Sequence, residues 1–586
     1  LYNSLFDARG VIIIALITTD HDNCRKCYAC VRACPVKTIS IKNGLPEIVE
    51  AGCLGCGQCV LACSIGAKIV QDDTPMIQKW LSEGTRVLAM VAPSYPASFQ
   101  LKGGQLVAAL RRLGFSSVQE VAYGAGICAR EYAKYFSGQN VKTMISTACP
   151  AVVQLVEKHF PNLIENLAPI DSPMLIQAKV MKAVQPDSKV VFIGPCFSKK
   201  YESTDPNTEG YVDAVITFRQ LNHWFDRSEI DWRQLAEQPW DNPQPHIART
   251  FPISGGLLKT AGMFEDITSM DIVVVEGARR CIEVLKAIDS GDFTPRFVDM
   301  LVCEGCVMGP GVVSDKSYVV RSHQVAKTVN QSNHSVCNEE MQPVLEKLDF
   351  TRTFKARPVL KKTFTEEQVW QTLKETGKHN IRDLINCSAC GYDTCWEKAV
   401  ACLQGMAEKE MCLPFLLRQV PALTNSLMDM SNKLMLSMES INFSTLTLKG
   451  TTSKINSRNQ QLEALIKETN TIAKDTLELA NKVLLMVSQY QLPMEDDALP
   501  QQPLASSDIE EIRKIAAQSK LQSEKATKAF EDIASVLARL REDSIMIMEQ
   551  EKAIKVVTSS LEQIVATYDQ LLNIGAAMAS IGRNYV

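Results

Sequence analysis

From about Val87 onward, short apolar runs alternate with stretches whose apolar residues recur every three or four positions. VLAMVAP, KTMIST, KVVFIGP, VDAVIT, DIVVVEG and FVDMLVC read as buried parallel strands, because a strand covered on both faces loses its apolar–polar alternation. GQLVAALRRLGF and SPMLIQAKVMKAV keep a helical period between them. The expected architecture is α/β, with sites where strands end. Upstream, VIIIALI from Val11 to Ile17 reads as one strand, being too short for a membrane span or a signal-peptide core. From Leu413 the pattern becomes helical over about 414–491 and about 507–585, with a break at MEDDALPQQPLASS. Ile509, Ile512, Ile515, Ala516, Ser519 and Ala526 step along one face, and Leu537, Leu540, Ile545 and Ile554 continue it more loosely. Such a stripe normally packs helix on helix.

A length of 586 residues implies roughly three to five folding units. The net charge of −4 gives no electrostatic reason to expect nucleic acid or an acidic membrane surface as a partner. The chain opens on Leu1, so the natural N-terminus is expected to be missing or replaced. The composition is ordinary except for 20 cysteines, most of them in short-spaced runs. That pattern suits thiolates sharing metal in a reducing compartment, the cytoplasm, rather than a secreted disulfide framework.

Cys24, Cys27, Cys30 and Cys34 precede Pro35 in a C-x2-C-x2-C-x3-C-P run, and Cys53, Cys56, Cys59 and Cys63 repeat the spacing. This is the bacterial two-cluster ferredoxin pattern, in which the fourth cysteine of each run reaches the other cube. Cys24, Cys27, Cys30 and Cys63 would then hold one 4Fe-4S cluster, and Cys53, Cys56, Cys59 and Cys34 the second. A zinc ribbon is the competing reading, but zinc does not normally need eight thiolates in interlocked runs. Further on, Cys149, Cys196 and the pair Cys303 and Cys306 fall at three predicted strand ends. Buried structural cysteine explains one such residue more easily than four.

The sequences STACP, GPCFSKKYE and CEGCVMGPG around these four resemble the three signature loops of the FeFe-hydrogenase catalytic domain. LRRLGF, NLAPIDSPM, VDAVIT and SGGLLKTAG supply matching context, and the resemblance covers about 85–320. It implies that Cys149, Cys196 and Cys303 bind the cube of an H-cluster. Cys306 would bridge that cube to a two-iron unit carrying CO, cyanide and an azadithiolate. Lys199 and Glu202 match the second loop, the lysine donating to a cyanide ligand where its bland reading is a surface charge. The departures carry as much information. The proton-relay thiol of working members falls at Ala148, whose methyl can neither donate nor accept a proton. A hydroxyl station falls at Ala168 and an outer carboxylate near Lys134, leaving Glu131 as a remaining relay carboxylate. Gly194 and Leu301 stand where the family has methionine, Pro310 where it has glycine, and the third loop is shortened to C-x2-C. The chain thus resembles the sensory, slow-turnover branch, against the alternatives of an empty scaffold or a fast enzyme with another proton path.

Cys387, Cys390, Cys395 and Cys412, at C-x2-C-x4-C-x16-C with Gly391 and Tyr392 in the turn, resemble a small 4Fe-4S domain of corrinoid-protein and electron-transport subunits. Zinc is again the alternative. Cys402 reads as packing, and Cys128, Cys281 and Cys337 have no assignment. IEEIRKIAAQSKLQSEKA and KAFEDIASVLARLREDS resemble the approach to and return from a chemoreceptor signalling hairpin whose kinase-contacting tip is missing.

The expected organisation is a two-cluster ferredoxin domain at 1–82, an H-cluster domain at 83–360, a 4Fe-4S domain at 361–414 and a helical coiled-coil hairpin for signalling or dimerisation at 415–586. Three 4Fe-4S clusters plus the H-cluster are the expected cofactors. The expected function is an H2 and redox sensor that binds or slowly oxidises H2 and exchanges protons. Its expected partners are a ferredoxin or similar redox protein, a signalling protein at the helices and a second copy of the chain. A ferredoxin-dependent metabolic hydrogenase in a larger complex is the alternative. Neither nucleic acid nor membrane insertion is expected.

Overall fold

The computed structural model describes residues 15–99, 102–138, 143–243, 245–265, 268–330, 341–360, 362–448, 453–489 and 506–543. It also describes a short strand pair at Leu5–Phe6 and Ile12–Ile13, and scattered helical positions from 559 to 573. Two compact units result. One comprises Leu1–Asn23, Ala33–Ile39 and Glu47–Lys362; the other comprises Cys24–Arg32, Ser40–Pro46 and Thr363–Val586.

In the first unit all six expected strands form, and they divide between two parallel sheets. In chain order the strands are β1 (Val87–Val91), β2 (Ser117–Glu120), β3 (Met144–Ile145), β4 (Lys189–Gly194), β5 (Ala214–Thr217), β6 (Ile272–Glu276) and β7 (Phe297–Leu301). The larger sheet runs β5-β4-β1-β2 and the smaller β6-β7-β3. Register is fixed by pairs such as Val191 with Ala89 and Val275 with Met300. β1 is buried along its whole length, which is why its five residues VLAMV carry no polar alternation. β2 was not expected, because SVQE reads as polar. Glu120 is nevertheless fully buried, its carboxylate gripped by Arg249 through Nε at 2.9 and 3.0 Å and Nη2 at 2.7 Å. The helices α1 (Ala122–Gly138), α2 (Pro150–His159), α3 (Pro173–Val184) and α4 (Ser198–Ser203) follow or connect these strands. The run VIIIALI is not one strand: Ile12–Ile13 pairs with Leu5–Phe6, whereas Ile17–Thr19 pairs antiparallel with Lys68–Val70. Those two pairings pull different parts of the run into different ribbons.

In the second unit, α5 (Cys395–Leu403) starts on a capping box between Thr394 and Glu397. Three long helices follow: α6 (Leu413–Leu448), α7 (Ser453–Gln489) and α8 (Ser506–Asp543). The single helix expected over 414–491 is therefore two. Ser431 Oγ donates to the Ala473 carbonyl at 3.0 Å, joining positions roughly equidistant from the connection, so α6 and α7 are antiparallel. Gln522 Nε2 on α8 donates to Asp475 on α7 at 3.2 Å. Both stretches that resemble the chemoreceptor approach and return lie on α8, with no turn between them. The expected break at MEDDALPQQPLASS falls almost wholly outside the described residues, as do Cys337, Ile545 and Ile554. Among the described residues no helix is long and apolar enough to cross a membrane.

Candidate metal centres

Three strand-to-helix junctions of the first unit carry the four central cysteines. Cys149 is the N-cap of α2, four residues past β3, with Pro150 opening the helix. Cys196 lies between β4 and α4, and Cys303 and Cys306 follow β7 around Gly305, whose φ of +70° suits only glycine. The four form one electrostatic group. Burial first, and then Cys149, pushes Cys196 up to about 12. Burial followed by neighbouring thiols raises Cys303 and Cys306 further, Cys303 sensing Cys196, Cys149, Cys306 and Cys56 in turn. Thiols crowded this way can ionise together only with positive charge between them, which is the donor chemistry an iron–sulfur cube requires.

Lys199 stands over this group. It is buried, its Nζ donates to Ser172 Oγ at 2.9 Å and to Glu202 Oε2 at 2.7 Å, and it favours the thiolates of Cys196 and Cys306. Its third proton has no acceptor among the described residues, so one donor remains for a ligand. Glu202 also accepts from Ser172 Oγ at 2.9 Å and from Arg352 Nη1 at 2.6 Å. Beyond it, Asp205 sits 3.9 Å from Arg352 and is paired with Arg357.

The second ferredoxin-type run packs directly against these junctions. Lys158 Nζ, near the end of α2, donates to the Cys53 carbonyl at 2.6 Å, and His159 Nε2 lies 3.0 Å from the Gly52 carbonyl. On α4, Ser198 Oγ donates to the Leu54 carbonyl and Tyr201 to the Glu50 carboxylate. Gly57 has a φ of +72°, and a Cβ there would lie 2.6 Å from Pro310 and 2.7 Å from Phe197. Pro310 thus has a packing role against the loop that carries Cys56.

In the second unit, Cys387, Cys390, Cys395 and Cys412 line one small cavity. Burial, then Cys412, pushes Cys390 up to about 11. Two buried lysines border the same cavity: Lys378 donates to Cys412 Sγ at 3.2 Å, and Lys398 is held by the Lys409 carbonyl at 3.5 Å. Neither has a carboxylate partner among the described residues, so an anionic four-thiolate cluster would supply their counter-charge. Cys402 does not line the cavity.

Comparison with known proteins bears on the ferredoxin-type runs and the central cysteines. Residues 16–64 match the model of a 4Fe-4S dicluster domain. Residues 85–310 match the iron only hydrogenase large subunit, C-terminal domain. The NADP-reducing hydrogenase subunit HndD of Solidesulfovibrio fructosivorans is 26% identical over 378 residues, 51% of this chain and 64% of that one. The periplasmic Fe hydrogenase large subunit of Nitratidesulfovibrio vulgaris is 24% identical over 360 residues, covering 50% and 86% of the two chains. A cytosolic Fe-S cluster assembly factor NAR1 of Vanderwaltozyma polyspora is 28% identical over 200 residues, covering 32% and 38%. Among solved structures, FeFe-hydrogenase HydA1 of Chlamydomonas reinhardtii is 18% identical with a TM-score of 0.42, covering 49% of this chain and all of that one. The chain is an iron–sulfur, hydrogenase-like protein.

Within the hydrogenase-like domain, the expected relay positions are apolar or turned outward. Ala148 is half-buried beside Cys149, and Ala168 is fully buried. Glu131 and Lys134 pair with each other at 2.7 Å at the surface. The methionine position Gly194 has no room for a side chain, since a Cβ would meet the Phe192 ring at 2.6 Å. Two groups escaped sequence reasoning. Cys128, one turn before Glu131, is buried with its Sγ 3.5 Å from the Asp171 carbonyl and senses Lys199. Asp299 on β7 is buried, accepts from Ser146 Oγ at 3.2 Å, and is pushed up to about 6 by burial. A buried acid on a strand of otherwise apolar residues is the one local signal that marks it.

Because the folded carboxyl holds its proton above the ordinary value of 3.8, Asp299 favours the folded state at low pH and loses that contribution as pH rises through about 6. Asp299→Asn should therefore match the parent near pH 4 and exceed its thermal midpoint above pH 6. Equal midpoints across that range would show that the carboxyl is not strained.

Proposed function

We propose that this protein binds an H-cluster, binds or slowly oxidises H2, and passes its redox state through 4Fe-4S clusters to the C-terminal helices. The observation that carries this reading is a retained thiol set, Cys149, Cys196, Cys303 and Cys306 under a buried Lys199, beside an Ala148 that cannot carry a proton. When bound, the two-iron unit would supply the site for H2. The chain's own part is to hold the cube through the cysteines and to offer the free donor of Lys199 to an anionic ligand, with Glu202 and Ser172 fixing that ammonium. Without a thiol or hydroxyl at Ala148 and Ala168, proton delivery is interrupted and turnover is slow.

Output rests on α6. It begins immediately after Cys412, whose carbonyl accepts from Phe415 N and Leu416 N at 3.0 Å each. One electron added beside that helix N-terminus changes its electrostatics and can bias the packing of α6, α7 and α8. A signalling protein, or a second copy of the chain, would read that packing. The thiol-rich chain fits the reducing cytoplasm.

A second reading is a ferredoxin-dependent metabolic hydrogenase in a larger complex, favoured by the likeness to a hydrogenase subunit named as NADP-reducing. Steady-state H2 evolution and amide exchange in α6–α8, measured on matured protein, separate the two. Slow evolution with exchange that differs between H2-reduced and oxidised protein is expected. Fast evolution with identical exchange contradicts the sensor reading.

A further inference from the structure

In sequence, the Cys387–Cys412 set comes after the hydrogenase-like domain, which suggests that electrons reach it from there. The second unit pairs it with a different neighbour. Cys24–Arg32 belongs to the same compact unit as the late cysteines, and the two loops interlock. Arg32 bridges them: its Nη2 donates to the Cys27 carbonyl at 3.0 Å and its Nη1 to the Ala389 carbonyl at 3.1 Å, one residue before Cys390. Gly391, with a φ of +94°, lets the chain come so close that a Cβ would lie 2.9 Å from Val31 and 3.1 Å from the Arg32 nitrogen. Tyr28, next to Cys27, is buried in the same unit. The backbone completes the seam. Ile41 N donates to the Met406 carbonyl at 3.0 Å, and Asn43 N and Gly44 N donate to Glu408 at 2.5 and 2.9 Å.

We propose that the cluster of the Cys24, Cys27, Cys30 run is the direct electron partner of the cluster held by Cys387, Cys390, Cys395 and Cys412, with Arg32 as the positioning residue between them. One electron leaves one reduced cube and enters the other; no bond breaks and no proton is consumed. The late cluster then branches from the outer ferredoxin cluster, so a redox partner that reduces the ferredoxin domain charges the helical module without passing through the hydrogen site. The Arg32 guanidinium supplies a short hydrogen-bonded path between the carbonyls of both loops and fixes their spacing. This rests on the iron–sulfur reading of the two cysteine sets and not on hydrogen chemistry.

The test uses full-length protein carrying its 4Fe-4S clusters but no two-iron unit, reduced stepwise with dithionite and followed by electron paramagnetic resonance. The expected result is a late-cluster signal broadened by magnetic coupling, which sharpens when Cys27→Ala removes the outer ferredoxin cluster. A late-cluster signal unchanged by that loss overturns the proposal. Arg32→Met keeps every cysteine and gives a second reading. With iron content unchanged, freeze-trapped equilibration between the two signals should slow severalfold, and an unaltered rate overturns the role of Arg32. Since no H2 is involved, failure here leaves the hydrogen-binding reading standing.

Discussion

Ala148→Cys raises steady-state H2 evolution of the matured protein roughly a hundredfold, the low end of what a positioned proton donor contributes. The low end follows from the surroundings. Ala148 lies beside Cys149, but the next expected station, Ala168, is a buried methyl whose carbonyl is already taken by Thr147 Oγ1 at 3.0 Å. Thr147 Oγ1 is also 2.8 Å from the Tyr132 hydroxyl, so these hydroxyls are committed to each other and to backbone. A thiol at 148 restores the inner station only. Hydrogen evolution with reduced methyl viologen, at equal two-iron loading, measures the effect. An unchanged rate would mean that proton supply at this position does not limit turnover.

Glu202→Met costs the folded hydrogenase-like unit about 3–5 kcal/mol, the usual penalty for removing one partner of a buried charge pair. Glu202 is 1% exposed and is shared by Lys199 and Arg352, themselves only 8% and 6% exposed. Its loss leaves two interior cations facing each other and frees Lys199 from its anchor. The thermal midpoint of that unit should drop by roughly 10 °C. Cyanide bands should also broaden or shift, because Lys199 no longer has a fixed orientation. An unchanged midpoint would show that Asp205, 3.9 Å from Arg352, already neutralises the cluster.

The legible parts of this chain are those whose signal is local. Six strands were marked by unbroken apolar runs, and the dicluster region by its cysteine spacing. β2 was invisible because Glu120 is buried only by virtue of Arg249, 129 residues away. The division of 414–491 into α6 and α7 was not legible, because the helical pattern is strong in both halves. The role of Pro310 required Gly57 across the fold, and that of Gly194 required the Phe192 ring. Least legible was the company kept by the late cysteines. Chain order puts them next to the hydrogenase-like domain, whereas Arg32 and Glu408 tie them to residues more than 350 positions earlier.

Cys149, Cys196, Cys303 and Cys306, with Lys199, are the residues proposed to hold an H-cluster. Infrared spectroscopy of the matured protein tests that assignment most directly, since iron-bound CO and cyanide absorb where protein does not. Sharp CO and cyanide bands that change between protein under H2 and oxidised protein, and that vanish in Cys306→Ala, are expected. No such bands after maturation, with the cubes present, would contradict it and leave an iron–sulfur protein without a hydrogen site.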